Sequence, residues 1–249
     1  AARPPLRQTT TVDPNSKLLE SMLDKPVSFK PFQSEDTITL TPRMVIDMLC
    51  VRTKKGHLCD EVQAQKFINL CKARGLNPWE GDAFLVGYDT DSGPSFSLIT
   101  SQQAFLKRAE ASPDYDGMQS GIIVRRGDKL IDVEGEFLDI EGGDYLAGGW
   151  ATVYMKNRKY PVKTRLRLDT FNQGWGRWKK DAPGMIAKCA RCGSLRIALP
   201  NTLGGMLVDG EAEGEELPTK PQPEQPKSRA EAIIEKSAAP RQEESKSEP

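Results

Sequence analysis

The chain has 249 residues, 37% hydrophobic and 28% charged, with 35 Lys and Arg balanced by 35 Asp and Glu. Such a length suits one sizeable domain with polar extensions, and the lean apolar content excludes a chain that packs throughout. Zero net charge excludes a uniformly basic or acidic protein, and no apolar run is as long as a membrane span. The five cysteines (Cys50, Cys59, Cys71, Cys189, Cys192) are odd in number and irregularly spaced, which does not make a disulfide framework and fits a reducing cytoplasm. The stretch AARPPLRQTT lacks the apolar core of a signal peptide, so a soluble cytoplasmic protein with no membrane partner is expected.

Residues 1–26 are polar and Pro-marked, with one short amphipathic piece (KLLESML, 17–23), and read as a flexible arm. Segments 27–31 and 37–40 predict a small strand pair. Thr41-Pro42 joins an N-cap residue to a proline at the first helical position and opens a predicted helix through Val51. Asp60 caps a second helix, in which Ala64, Phe67, Ile68 and Cys71 recur at helical spacing until Gly75 ends it. Segments 82–88 and 95–99 predict a hairpin around the turn residues TDSGP, and 101–111 predicts a helix.

A strand-rich stretch follows. Segments 121–126 and 130–137 flank a Gly127-Asp128 turn; 146–155 and 160–168 flank a turn of Lys156, Asn157, Arg158 and Lys159. An aromatic, glycine-rich loop (FNQGWGRW, 171–178) leads to a helix over 182–198, closed by Pro200. The expected fold class is therefore α+β, an antiparallel β-meander packed with helices over 27–208. Beyond it, 209–249 is acidic, Pro-rich and without aromatics, a composition that buries too little apolar area to offset its ordering entropy and predicts a disordered tail. Within that tail Ser228 and Glu231 have capping-box spacing ahead of Ala232, Ile233 and Ile234. A short partner-binding helix over 228–238 and a plain spacer both stand open.

Charge is distributed unevenly. Residues 150–200 hold twelve Lys and Arg against two acids, whereas 209–249 hold eleven acids against six bases. On the helix over 182–198, Ile186, Ala190, Gly193 and Ile197 fall on one stripe with Cys189 beside it, which is expected to face the core. Lys188 points opposite, with Arg191 and Arg196 to either side. Arg177, Lys179 and Lys180 precede the helix, Lys163, Arg165 and Arg167 alternate along a strand, and Lys156, Arg158 and Lys159 crown a hairpin. Cations of one sign on helix, strand and loop favour phosphate binding over a merely solvated face and are expected to converge in one channel. Phe171, Trp175 and Trp178 lie among them, and rings of this kind stack bases of single strands. Core anchoring and base stacking are equally open for Trp178.

Enzyme chemistry finds little support. There is no Gly-Lys dipeptide, hence no Walker phosphate loop. The single histidine, His57, has no nucleophile beside it in a recognisable motif. Asp132, Glu134, Glu136, Asp139, Glu141 and Asp144 suggest a metal nuclease only weakly, for no nearby Glu-x-Lys completes the pattern. Cys189-x-x-Cys192 lacks a second pair of ligands beyond His57 and Cys59 for a zinc site.

Three blocks, in order and spacing, resemble the RecT/Bet family of phage single-strand DNA annealing proteins over about 27–209. They are GLNPW at 75–79 with the following GDAFLVGY; SPDYDGM at 112–118; and Trp178 with Pro183, MIAKCARCGSLRIALP at 185–200 and GGML at 204–207. The resemblance implies an α+β core that grips single-stranded DNA in a basic groove and oligomerises along it as a ring or helical filament. It implies ATP-independent annealing into duplex in a bacterial host cell, with a phage exonuclease and the host single-strand binding protein as partners. No cofactor is expected, Mg²⁺ assisting by screening alone. The family's basic residues on the last helix correspond to Lys188 and Arg196, and Arg191 follows them. Two other functions fit the residues: a protein that protects single strands without annealing them, and a metal-dependent nuclease.

Overall fold

A computed structural model of the chain describes residues 23–174 and 176–208. The expectations for 1–22, for Trp175 and for 209–249, the helix over 228–238 included, lie outside the described residues. β1 (Val27–Phe29) and β2 (Ile38–Leu40) pair antiparallel as expected, and the buried Phe29 and Leu40 seat this hairpin on the core. Thr41 caps α1 (Pro42–Met44), its hydroxyl accepting from the Met44 N–H at 3.2 Å, with Pro42 in the first turn. The helix expected through Val51 ends earlier. Its backbone widens into a π-turn over Val45–Leu49, and Cys50–Val51 then forms β3, a short strand parallel to β4 (Ala83–Thr90). No glycine closes the turn, and the β-branched Val51 gains a strand partner in Val86.

α2 (Glu61–Arg74) starts from a full capping box of Asp60 and Gln63 and ends at Gly75 in the left-handed region, φ 57°. The end of α2 is clamped by a buried arginine, which no local sequence pattern marks. Arg108, on α3 (Gln102–Glu110), is 3% exposed and donates to the carbonyls of Arg74 at 2.6 Å, Gly75 at 3.2 Å and Ala104 at 3.0 Å. Its guanidinium lies over the Phe32 ring, 4.7 Å from the centroid, so a cation meets the negative end of the helix dipole under an aromatic cover. Next to it the Asn77 N–H donates to the Asp82 carboxylate at 3.1 Å, the Asp82 N–H returns to the Asn77 carbonyl at 3.0 Å, and Lys107 Nζ reaches Asp82 at 3.0 Å. The block GLNPWEGD is thus a junction fixing α2, β4 and α3 against one another.

β4 pairs with β5 (Gly93–Thr100) in a longer hairpin than expected; Thr90 opposes Gly93, which leaves only Asp91 and Ser92 in the turn. The second sheet comprises β6 (Tyr115–Arg126), β7 (Lys129–Glu134), β8 (Tyr145–Met155) and β9 (Val162–Arg167), all antiparallel. The α+β class stands, but the strand order is β7-β6-β8-β9 in place of a simple meander. β6, with Ile122, Ile123 and Val124 buried, occupies an interior position, and the connection over 135–144 carries the chain from one side of it to the other. β6 also begins at Tyr115, ahead of its apolar run, because 115–120 pairs with β8 through a bulge between Tyr115 and Met118.

Short helices α4 (Leu168–Phe171) and α5 (Arg177–Lys180) replace parts of the expected loop before α6 (Ala182–Ala198). Pro200 both closes α6 and starts α7 (Pro200–Leu203). α6 lies on β8, β9 and β6 and meets α3, α5 and α7 from other sides. Its expected apolar stripe holds at Ile186, Cys189 and Ala190 but not at Ile197, which is 58% exposed, nor at Gly193, whose missing Cβ would meet open space. Met185, Ala187, Cys192, Leu195 and Ala198 are buried instead. A helix packed on several sides has no single core-facing stripe, so periodicity alone misplaced its outer face. Among the described residues no helix is long and apolar enough to cross a membrane.

Arg108→Met is expected to lower unfolding stability by about 2–3 kcal/mol, since it strands carbonyls at the α2 terminus, with the urea midpoint as the measurement. Burial pushes the thiols of Cys59 and Cys71 up to about 12, and Cys189 and Cys192 are buried as well, whereas Cys50 is half-buried. Iodoacetamide at pH 8 should therefore modify Cys50 first in the native protein and all five thiols in denaturant. Mass-spectrometric labelling that finds Cys71 as reactive as Cys50 would contradict this packing.

Candidate nucleic-acid interface

An open cleft of about 640 Å³ lies where the first turns of α6 face the three-stranded sheet. Strand alternation and register bring Val51, Phe84, Val86 and Ile99 to one face of β3-β4-β5, and these apolar side chains line one wall. Phe84 is 42% exposed there, an aromatic ring open to a ligand. Ser101, Gln102 and Gln103 at the start of α3 supply polar groups. The remaining wall carries Arg177 from α5 with Lys188 and Arg191 from α6.

Two carboxylates enter the same space. Asp181 caps α6, accepting from the Gly184 N–H at 3.0 Å, and lies 3.8 Å from Arg177. Glu136, from the connection after β7, meets Arg191 Nη2 at 2.6 Å. The Arg191 side chain is only 16% exposed; Gln102 accepts from the same nitrogen at 3.2 Å, and its Nε has no partner. The guanidinium therefore holds a carboxylate at the cleft through Nη2, while its Nε is buried and unsatisfied. Phosphate oxygens would compete for the same donors.

The other candidate residues are dispersed. Lys179 and Lys180 are exposed on α5 but do not line the cleft. Arg196 lies toward the far end of α6 and donates to the Met206 carbonyl at 2.7 Å. Arg158 donates to the Ala198 carbonyl at 2.8 Å, which completes the C-terminus of α6, and Lys159 sits over the Tyr160 ring at 5.3 Å. Trp178 is 3% exposed and belongs to the core, so it presents no face to a base. Its place beside the start of α6 explains its burial.

Lys163, Arg165 and Arg167 occupy yet another surface. In β8, Gly149 and Ala151 face α6: a Cβ at 149 would come within 2.7 Å of the Ile186 carbonyl, and the Ser194 hydroxyl donates to the Ala151 carbonyl at 3.1 Å. Gly148, Trp150 and Thr152 therefore point the other way, and their cross-strand partners are Arg167, Arg165 and Lys163. The strand cations lie on the face of the sheet turned away from α6. The expectation of one channel shared by helix and strand cations is corrected: alternation along β9 revealed a common face, while which face α6 would cover depended on the glycine and small residues of β8.

Sequence reasoning missed Phe84, the two glutamines and Glu136. The period-two pattern of Phe84 and Val86 was visible, but a partly exposed wall looks like any half-buried strand. In the sequence Glu136 is one of a run of acids with nothing to set it apart. In the structure three of those six acids are engaged separately: Asp132 with Lys163 and Arg165, Glu136 with Arg191, and Asp144 with Arg126. Among the described residues no group of three or more His, Cys, Asp or Glu is placed to hold a metal ion. His57 is exposed on a loop.

Curated proteins give no match to this sequence. The model of the RecT family matches residues 41–226, a span that includes β3 through α7 and every side chain of the cleft. The chain accordingly belongs to the RecT family, the proteins of phage-type single-strand annealing recombination.

Proposed function

We propose that this protein binds single-stranded DNA in the cleft between α6 and the three-stranded sheet and pairs it with a complementary strand without ATP. The observation that carries the reading is the opposition of Arg177, Lys188 and Arg191 to an open Phe84 across one space of about 640 Å³. Phosphates need cations, and bases of any sequence accept an aromatic face at ~1–3 kcal/mol each. Both are provided here, with Gln102 and Gln103 able to donate to or accept from base edges. No nucleophile or general base is required, because base pairing itself supplies the driving force.

In this mechanism a phosphate displaces the Glu136 carboxylate from Arg191, Lys188 and Arg177 hold its neighbours, and Phe84 keeps a base from folding back into a hairpin. Neighbouring protomers in a ring or filament continue the track, leaving pairing edges available to a second strand. Mg²⁺ assists by screening. A phage exonuclease supplies single strands and a host single-strand binding protein hands them over, in the cytoplasm of a bacterial host; this part of the proposal rests on family membership.

Lys188→Glu is expected to abolish annealing of complementary oligonucleotides, followed by fluorescence, with an unchanged circular dichroism spectrum. Loss of one phosphate contact should also lower the slope of log K against log salt by ~0.7 for a single strand. Full annealing by this variant would refute the cleft as the site. Glu136→Gln removes the competing charge, and ssDNA affinity is expected to rise about three- to tenfold, or roughly 0.7–1.4 kcal/mol, by fluorescence anisotropy at fixed salt. A lower affinity would mean that Glu136 positions Arg191 for binding.

A further inference from the structure

The outer face of the four-stranded sheet is built unlike an ordinary solvated surface. Along β9, Lys163, Arg165 and Arg167 stand on one side, one every second residue, so their backbone positions repeat at about 6.8 Å. The sugar-phosphate chain of a stretched single strand repeats on a similar scale. Next to them on β8 are Trp150 and Tyr154, each two residues from Thr152, the cross-strand partner of Lys163, and hence on the same face. Lys163 Nζ lies 5.7 Å from the Trp150 ring centre, and the Trp150 indole donates to the Val133 carbonyl at 3.1 Å, so the ring is held across the sheet. The Tyr154 hydroxyl is fixed by Gln119 at 2.7 Å.

Arg125, Lys163, Arg165 and Arg167 share this face with Asp132, Asp169 and, by alternation along β7, Glu134, so cations are in slight excess. A single carboxylate, Asp132, is shared by Lys163 at 3.2 Å and Arg165 at 2.9 Å, and both cations remain about half exposed (52% and 48%). The surface continues into a groove of about 560 Å³ that includes Arg125, Tyr145, Arg167 and Asn172. Arg167 pairs there with Asp169.

We infer that the outer face of the sheet is a second binding site for a single strand of nucleic acid, separate from the cleft. β9 tracks the phosphates, and Trp150 and Tyr154 offer edges or faces to bases. Its role in annealing, as a holding seat that keeps an incoming strand close until it passes to the strand held in the cleft, rests on the cleft reading above. The sheet divides the two seats, so a protomer can hold two strands that do not pair as well as two that do.

The test uses the full chain with oligothymidylate, which cannot pair with itself. Measurements are nucleotides bound per protomer at saturation, lysine acetylation footprints read by mass spectrometry, and the annealing rate of complementary oligonucleotides. Excess oligothymidylate should protect both Lys163 and Lys188 in the wild type. The double variant Lys163→Glu, Arg165→Glu should bind about half as many nucleotides, keep its tight binding phase within about twofold, still protect Lys188, and anneal at least tenfold more slowly. Asp132→Asn, which removes the competing carboxylate and keeps the cations, should strengthen the weaker phase severalfold. Wild-type capacity and annealing in the double variant, no gain with Asp132→Asn, or loss of the tight phase with the double variant would each overturn the second site. Wild-type binding by Lys188→Glu would instead overturn the cleft, while capacity in the double variant still decides the outer face.

Discussion

The close seating of α6 on β8 governs the rest of the molecule. Gly149 lets the helix backbone approach to a distance that no side chain at that position would permit, and Ser194 fastens the contact by a hydrogen bond to Ala151. Once the helix is there, small and apolar residues around most of its circumference become core. Long cations are the exceptions, because a flexible apolar stem can pass between neighbours and deliver its charge to the surface. Lys188 and Arg191 emerge into the cleft, whereas Arg196 emerges near Met206. Helix packing thus selects which of three similar cations can share a ligand.

The same contact divides the basic band of the sequence into functions of different kinds. Arg158 and Arg196 complete backbone carbonyls and belong to the architecture. Arg177, Lys188 and Arg191 face an aromatic wall built by other elements. Lys163, Arg165 and Arg167 stand behind the sheet. A carboxylate partners several of these cations: Glu136 for Arg191, Asp132 for Lys163 and Arg165, Asp181 for Arg177. Such pairs keep cations soluble and oriented, and a phosphate that replaces the carboxylate recovers much of the pair energy while releasing counterions. In the proposed function, binding by exchange of this type is steeply sensitive to salt and indifferent to base sequence.

Rigidity comes from the other half of the chain. Arg108 and the Asn77–Asp82 junction lock α2, β4 and α3 together, and β4 and α3 carry Phe84 and the glutamines. The block GLNPWEGD therefore serves the cleft without touching it. It sets the wall against which the helix cations act, so that a family motif with no chemistry of its own bears on function through geometry.

The sequence alone determined the local elements whose signals are carried by neighbours in the chain: the capping box at Asp60, the left-handed stop at Gly75, Ser101 as the start of a helix, and the span 182–198. It determined the α+β class and, through three ordered motifs, the family. It also concentrated the cations, since charge and alternation are one-dimensional properties. Tertiary structure decided what alternation and helical period leave undefined, namely which side of a strand or helix is covered. Ile197 turned outward and Trp178 inward because α6 is packed on several sides; β6 took an interior position because its partners lie on both flanks; and Phe84 and Lys188 line one cleft only because the three-stranded sheet and α6 converge. Each of these depends on contacts between residues far apart in sequence, where no local pattern records which neighbour will arrive.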